Sequence, residues 1–433
     1  MEQNEAPLQF NVDHISPNFC KTTVTVPAQI VDRVYDEAVR AQKKSVNPHG
    51  FHHDKVPLEY VKKNFETNIH SHLEEFLFKY FVLGFLYRKI REIQLNAAGD
   101  PRLTDIYIRS GQDAAFNFDI SLFERIEFQN WKYYPFRAPK RKNYKDLDRQ
   151  ASDFMREERK KRKEYAKLSV NIGDWVSFDI WLVDGEEKSV FGKYKENLWL
   201  KIGNEEADKD LQKLFTGKKL GATFYTSDDY IQEYFGSQIG FNYTFGIKIK
   251  DILPQAYFCF DNFKRQFRIK TKKESLRRLI EVFSFRNDIS QRQAMVQEAF
   301  NLMLSKYEFE VPNYLVLRQQ KCVLQDIQKN PDYHVYKNEK SFVDTIRKLS
   351  EKQIKEIILI DQLASKEKMK LTSEDIASYL NLTKRPRMKE FIYFKMPDTK
   401  FQGQETPICS ELIKQQCIRE KTLNYMIYNF TRK

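Results

Sequence analysis

Glycine and proline are scarce in this sequence, at 14 residues each in a chain of 433. Turn-rich all-β folds depend on these two residues, so their scarcity argues against an all-β protein and favours helices. No segment reaches the roughly 18 consecutive apolar residues that a membrane-spanning helix needs. The first ten residues contain no apolar stretch typical of a secretory signal, so we expect a protein that is not exported.

Cysteine pairs are also missing. The five cysteines form no Cys-x-x-Cys motif, and Cys409 and Cys417 would lie roughly 12 Å apart along one helix, too far for a disulfide. We therefore expect reduced thiols and a cytoplasmic location. Five of the seven histidines fall between residues 49 and 72, without acidic or cysteine ligands at zinc spacing. With no glycine-rich phosphate loop either, the sequence predicts no metal, cofactor or nucleotide site.

Positive charge is in excess, with a formal net charge of +13. Such a charge suggests an anionic partner, for example RNA or a membrane surface. It is concentrated in residues 137–167, where 13 lysines and arginines stand against 6 aspartates and glutamates, a net charge of +7. Two interpretations of this segment remain open: an RNA-binding helix and a solvated connecting helix.

The length allows two or three domains with cores of their own. Within the first 123 residues the alternation of β-branched residues predicts strands, and apolar periodicity predicts helices. The strands are expected at 19–26, 104–110 and 114–122, and the helices from Pro27 to about Lys44 and over 57–94. An unbroken helix over 57–94 would measure roughly 55 Å, so we expect a break near Gly84. This part is predicted to be a small α+β domain.

The remaining chain changes from strand to helix periodicity. Residues 169–253 alternate as strands do, with an Asp184-Gly185 turn after the first strand and further strands at 197–202, 222–226 and 241–252. Helical spacing dominates from residue 254 onward, with helices expected from Asn313 to about Lys329, over 339–367 and 374–381, and from Ser410 to about Phe430. The sequence thus predicts a multidomain α+β protein with a central antiparallel β domain and an all-α C-terminal body.

A short loop, residues 48–57, joins the two helical stretches of the N-terminal part. Glycine and two prolines make it stiff, and the aromatic residue at its tip has little core to bury into. The loop either docks onto a partner or merely connects two helices, with the aromatic ring folded back. The residues concerned are Gly50, Phe51, His52, His53, Lys55 and Pro57.

This loop resembles the Gly-Phe-Arg-x-Gly-Lys-x-Pro signature of trigger factor, the family of bacterial chaperones at the ribosomal exit tunnel. The matching positions are Gly50, Phe51, Lys55 and Pro57. Histidines replace the two basic positions after the phenylalanine and Asp54 replaces the second glycine, so the tip carries less fixed positive charge than usual. The resemblance implies that the loop docks to ribosomal protein and RNA near the tunnel exit.

The middle part resembles the FKBP-type prolyl isomerase domain of the same family. The shared marks are Gly173-Asp174, the turn Asp184-Gly185-Glu186-Glu187, Gly217, Gly221 and the closing strand with Phe245. Such a domain needs no acid, base or nucleophile, because an apolar aromatic pocket favours the twisted amide of an X-Pro bond over the planar, solvated one. The predicted pocket residues are Phe191, Trp199, Leu211, Tyr234 and Phe245.

Charges near this pocket leave two outcomes open. Asp208 and Lys209 stand where the family has an apolar pair, and burying them would be costly and would hydrate the cleft. The domain is therefore either an active isomerase or a retained fold with a weakened pocket.

The C-terminal body resembles the family at the Phe309-Glu310-Val311-Pro312 junction before a long arm helix. Aromatic residues and methionines are numerous near its loops and ends. On a concave face they would form an adaptable lining for unfolded chains, whereas between helices they would only be core. The predicted client-binding residues are Tyr393, Phe394, Met396, Phe401, Tyr425, Met426, Tyr428 and Phe430.

Together the resemblances cover nearly the whole chain and imply four parts. These are a ribosome-binding domain (1–123), a linker (124–168), an FKBP-like domain (169–253) and a helical chaperone body (254–433) lying between the other two domains. The implied function is ATP-independent holding of nascent polypeptides by a partly ribosome-associated protein with an isomerase-like domain. No cofactor, nucleotide or membrane partner is expected, and a homodimer away from the ribosome is one option. Two alternatives are a free prolyl isomerase and an RNA-binding protein that uses residues 137–167.

Overall fold

A computed structural model gives the fold of most of the chain. The residues it describes are 7–46, 55–139, 169–184, 186–236, 241–254, 269, 271, 273–275, 289–330, 332–384, 392–396, 400–401 and 403–431. Two sequence predictions fall outside these residues. They are the tip of the proposed docking loop, with Gly50, Phe51, His52 and His53, and the basic segment from residue 140 to 167.

The N-terminal part is an α+β unit, as predicted, but its antiparallel sheet has four strands and not the three expected, because residues 9–16 add a strand. The strands are β1 Gln9–Ser16, β2 Phe19–Val26, β3 Arg102–Tyr107 and β4 Ala114–Ser121, in the order β1-β2-β4-β3. The helices are α1 Ala28–Ser45, α2 Leu58–Asn64, α3 Glu66–Leu77 and α4 Leu83–Glu92. β2 spans the predicted residues because its β-branched side chains alternate between buried and exposed positions.

The break predicted near Gly84 is wrong. The helix is interrupted earlier, at Phe65 between α2 and α3 and at a π-helical turn, Phe78–Val82, between α3 and α4. Gly84 lies within α4, and a Cβ atom there would lie 2.8 Å from Oε1 of Glu196 in the middle sheet. Glycine therefore serves close packing at this position rather than a bend.

The middle part is a five-stranded antiparallel sheet in the order β11-β6-β5-β8-β7. Its strands are β5 Trp175–Val183, β6 Glu196–Lys201, β7 Thr223–Thr226 and β8 Thr244–Leu253, close to the predicted bounds, joined by β11 Ile408–Cys409 from the C-terminal part. Two short helices, α5 Lys209–Phe215 and α6 Asp229–Phe235, belong to the same unit.

Both faces of this sheet are buried. Strand register places Phe178, Ile180 and Leu182 of β5 opposite Ile249, Ile247 and Phe245 of β8, and we call this side the aromatic face. The other side carries Trp175 and Trp199, and we call it the body face, because helices of the C-terminal part cover it.

The C-terminal part is helical, as predicted, but it also contains short strands. Its helices are α7 Ile289–Lys306, α8 Asn313–Gln328, α9 Tyr333–Tyr336, α10 Phe342–Lys366, α11 Ser373–Lys384 and α12 Ser410–Thr431. Between α11 and α12 lie β9 Lys400–Phe401, β10 Gln404–Glu405 and the strand β11. A body predicted to be all-α therefore supplies one strand to the neighbouring sheet. No helix among the residues described is long and apolar enough to cross a membrane.

The arrangement of the three parts differs from the one that the family resemblance implies. The N-terminal part contacts the middle part directly, and one apolar cluster runs from Val31 and Ile69 to Phe178 and Phe245. The middle sheet is held between α3 and α4 on its aromatic face and α11 and α12 on its body face. The physical reason is the row of aromatic residues on α3 and the π-helical turn, which would otherwise face water.

Candidate functional site

The aromatic face is the place where the sequence predicts an isomerase pocket. The ring of Phe245 stacks on Phe235 of α6, with 5.2 Å between their centroids. Phe215 of α5 packs 5.2 Å from Phe178. These contacts pack buried aromatic rings between the sheet and its two short helices.

The five predicted pocket residues are not all on this side of the sheet. Phe191, Leu211 and Phe245 are fully buried in the aromatic-face cluster, and Tyr234 packs at its edge, 4.9 Å from Phe235. Trp199 lies on the body face, paired with Ile408 of β11. Since successive residues of a strand point to opposite faces, the structure brings four of the five together and separates Trp199 from them.

The sequence analysis expected the charge of Asp208 to hydrate the cleft, and the structure does not place it to do so. Its carboxylate is fully buried and accepts hydrogen bonds from the backbone amides of Glu405 (2.9 Å) and Glu205 (3.2 Å). Gly203 leaves room for it, because a Cβ there would lie 1.9 Å from the carboxylate. Lys209 points to solvent. The charge at Asp208 therefore fixes the first turn of a helix and the strand β10, rather than drawing water to the aromatic face.

Two buried titratable groups lie where α3 and α4 meet the middle sheet. The pKa of His72 is lowered to about 4, chiefly by burial, which outweighs the opposite effect of Glu75, and nearby Lys79 also contributes to the lowering. Burial raises the pKa of Glu196 to about 8, although a hydrogen bond from Cys409 favours the ionised form. Both side chains are therefore neutral near pH 7, which suits an interface with little water.

Only the C-terminal end of the proposed docking loop is described. Lys55 and Pro57 are exposed, and Val56 between them is buried in the core of the N-terminal part. Val56 thus anchors the base of the loop while its neighbours face solvent.

The eight predicted client-binding residues do not form one surface. Phe394, Met426 and Phe430 are buried in the core of the helical body. Tyr393 donates a hydrogen bond to Glu356, whose pKa burial raises to about 7. Half-buried positions are occupied by Met396, Tyr425 and Tyr428, whereas Phe401 is 67% exposed.

Exposed apolar side chains that the sequence analysis did not single out lie on the paired helices α8 and α10, which we call the arm hairpin. Leu317 is 51% exposed, Val343 72% and Leu349 39%, although each is a large apolar residue on a helix. The sequence does carry one signal for this exposure. Residues 314–317 are four consecutive apolar residues, Tyr-Leu-Val-Leu, which cannot all face the same side of a helix.

At the base of the arm hairpin is a cavity of about 430 Å³. Its lining is part apolar and part charged, and comes from the end of α7, the following loop and α10. The lining residues are Leu304, Tyr307, Glu308, Phe309, Glu310 and Lys355. The cavity is large enough for one or two amino-acid side chains.

Comparisons with known proteins match the chain to one family. The family model "Bacterial trigger factor protein (TF)" matches residues 8–152, and the model "Bacterial trigger factor protein (TF) C-terminus" matches residues 265–388. Trigger factor of Rickettsia canadensis is 20% identical over 412 residues, covering 94% of this chain and 90% of its own. Trigger factor of Geotalea daltonii is 21% identical over 390 residues, covering 85% and 86%.

Among solved structures, one described as "Promiscuous Substrate Recognition in Folding and Assembly Activities of the Trigger Factor Chaperone" is 14% identical, with a TM-score of 0.35, and covers 96% of this chain and 99% of its own. The family assignment depends on the sequence matches, which together include most of the chain. This chain therefore belongs to the trigger factor family and is a trigger factor chaperone.

Proposed function

We propose that this chaperone holds nascent polypeptides at the ribosomal exit tunnel without ATP. It docks through the loop Gly50–Pro57 and receives its clients on the arm hairpin and the adjacent cavity. The single observation that carries the client site is the exposure of Leu317, Val343 and Leu349 on two paired helices. Large apolar side chains left in water on regular elements mark surfaces for apolar partners.

The docking loop is tested by co-sedimentation with ribosomes. The double variant Phe51→Ala, Lys55→Ala should lose most of its binding, and the wild-type complex should weaken with added salt, because exposed charges are screened over about 8 Å at physiological ionic strength. The matched control is Tyr107→Ala, Arg109→Ala, an exposed aromatic and cation elsewhere in the N-terminal part. Equal binding by both double variants refutes the loop as the docking site.

The client site is tested by suppression of aggregation of a denatured protein. The double variant Leu317→Glu, Val343→Glu should require a several-fold higher concentration for the same protection, since charges on the arm hairpin disfavour apolar clients. Ile15→Glu is the control, because Ile15 is 60% exposed on β1, away from the arm hairpin. Unchanged protection by the arm variant excludes the arm hairpin.

A second activity is favoured by the aromatic face. Four pocket-type residues, Phe191, Leu211, Tyr234 and Phe245, gather in one apolar cluster between the sheet and its helices. Such an environment lowers the rotation barrier of an X-Pro amide, about 18–20 kcal/mol unaided, by favouring the less polar twisted state. The aromatic face is therefore the proposed prolyl isomerase site. The family matches do not favour either a free isomerase or a dedicated RNA-binding protein as an alternative.

A further inference from the structure

The aromatic face is covered by rings from another part of the same chain. Phe76 of α3 lies 5.6 Å from Phe235, which itself stacks on Phe245. Phe81 of the π-helical turn meets Phe191 edge-on at 5.2 Å, and Tyr80 lies 5.9 Å from the same ring. The side chains of α3 and the π-helical turn thus occupy the aromatic surface that an apolar ligand of the sheet would use.

Three hydrogen bonds hold this cover in place. Lys79 donates to the backbone oxygen of Tyr234 (2.6 Å), and Tyr80 donates to the backbone oxygen of Tyr194 (3.0 Å). His72 and the hydroxyl of Tyr243 form the third (2.9 Å), and the His72 ring stacks on Phe241 at 3.8 Å. Two of the acceptors are therefore main-chain oxygens close to the pocket residues, which are groups that bound peptides commonly use.

The covering segment buries one broad apolar face. Ile69, Leu73 and Leu77 lie towards one edge of this face and are buried in the cluster that α3 shares with α1 of its own domain. His72, Phe76 and Tyr80 lie about 60° round the helix, towards the other edge, and contact the middle part. Opening of the aromatic face therefore removes the partner of the second edge, while the first edge stays packed within the N-terminal part.

Gly236 shows that the middle part is shaped for this contact. A Cβ at this position would lie 2.3 Å from Nδ1 of His72. The backbone of Gly236 is extended, with φ of −161°, which any residue adopts. The missing side chain therefore serves the approach of His72 and not the local conformation.

We propose that α3 and the π-helical turn act as an internal competitor for the aromatic face, so that a proline-containing apolar segment binds there only when this cover moves away. This inference rests on the proposed isomerase site. In the closed arrangement Phe76, Tyr80 and Phe81 take the place of the ligand's apolar side chains. The intact chaperone should then be a slow isomerase, and its site should open when the N-terminal part moves away from the middle part.

Full-length variants that release the cover test this proposal. Gly236→Val places methyl groups against His72, and Lys79→Ala removes a charged hydrogen bond without altering either core. Lys89→Ala is the matched control, because Lys89 pairs with Glu92 on the exposed side of α4. The measurements are turnover of a short proline peptide and hydrogen exchange of residues 72–82 and 241–247.

Turnover should rise about tenfold in Lys79→Ala, the effect of losing one charge-assisted hydrogen bond, and more in Gly236→Val, with faster exchange in both segments. Lys89→Ala should match the wild type. If the wild type turns the peptide over rapidly and the release variants do not change this rate, the internal competitor is overturned but the proposed isomerase site stands. If hydrogen exchange becomes faster in the release variants but they neither turn over nor bind the peptide, the proposed isomerase site is wrong, and so is the internal competitor that rests on it.

Discussion

The two faces of the middle sheet are covered in different ways. The helical body that covers the body face is also attached to the sheet through main chain: β11 pairs with the neighbouring strand β6 at the edge of the sheet, and Asp208 binds the backbone of β10. On the aromatic face the cover consists of rings from α3 and the π-helical turn, together with hydrogen bonds that start from side chains. Strand pairing has a fixed register, whereas apolar rings are replaceable by other apolar groups of similar size.

This difference indicates that the body face is structural and the aromatic face exchangeable. Loss of the body cover should unfold part of the protein, because Trp175, Trp199, Leu380 and Ile413 share one core. Loss of the aromatic cover should separate two parts that each keep a core. The following predictions test this contrast, beginning with the largest effect.

Truncating Trp199 should give the largest loss. Trp199→Ala removes a ring packed between the sheet and the helical body, and such a change costs about 3–5 kcal/mol in the free energy of unfolding. Phe401→Ala is the control, since Phe401 is mostly exposed and its loss should change the same quantity by less than about 0.5 kcal/mol. Denaturant unfolding measures both. A cost for Trp199→Ala as small as the control's would mean that the body face is not a core.

The strands and long helices are readable from the sequence, but their partners are not. Alternation of β-branched residues sets β2 to the residue, and apolar periodicity places α10 and α12. β11 has only two residues, Ile408 and Cys409, too few for any periodicity, so its pairing with β6 has no sequence signal. Gly84 is a similar case, because the residue that requires it, Glu196, is distant in the chain.

The candidate sites were predictable only in part, for the same reason. Alternation predicts that Trp199 and Leu198 point to opposite faces but does not say which face holds the pocket. Composition draws attention to Met426 and Phe430, yet both serve the core of the helical body. The exposed Val343 looks like an ordinary helix residue in the sequence, and the apolar run 314–317 does not say which of its members is exposed. Exposure depends on which helices are neighbours, and a single sequence does not contain that information.

Protonation of His72 should loosen the aromatic face. The pKa of His72 is about 4 in the folded protein and about 6.5 when it is exposed, so the open or unfolded state binds more protons between these values. The stabilising contribution of His72 is therefore complete above about pH 6.5 and falls by about 3 kcal/mol as the pH falls to 4, whereas Glu196, whose pKa burial raises to about 8, favours the closed contact in acid and acts in the opposite direction. Hydrogen exchange of residues 72–82 measured from pH 7 to pH 4, corrected for its intrinsic pH dependence, follows the loss.

His72→Phe is the control for this prediction. It keeps a ring against Phe241 but cannot be protonated, so the contact in the wild type should weaken by about 3 kcal/mol relative to that in His72→Phe as the pH falls to 4. Hydrogen exchange of residues 405–409, in the segment from the C-terminal part, should show the pH dependence of the His72→Phe control and not that of residues 72–82 in the wild type. An equal response to acid in wild type and His72→Phe would show that some other group opens the aromatic face.

Removing the Asp208 carboxylate should give the smallest of the three effects and should act where the segment from the C-terminal part attaches to the middle part. Asp208→Ala leaves the backbone amides of Glu405 and Glu205 without their acceptor, at a cost of roughly 1–3 kcal/mol for a buried donor. Exchange of Gln404–Cys409 should accelerate, while residues 72–82 stay protected. The control is Asp210→Ala, because Asp210 lies two residues away and pairs with Lys213 in solvent. This variant should change the hydrogen exchange of neither segment. If Asp208→Ala instead exposed residues 72–82, the two covers would be coupled and the aromatic face could not open alone.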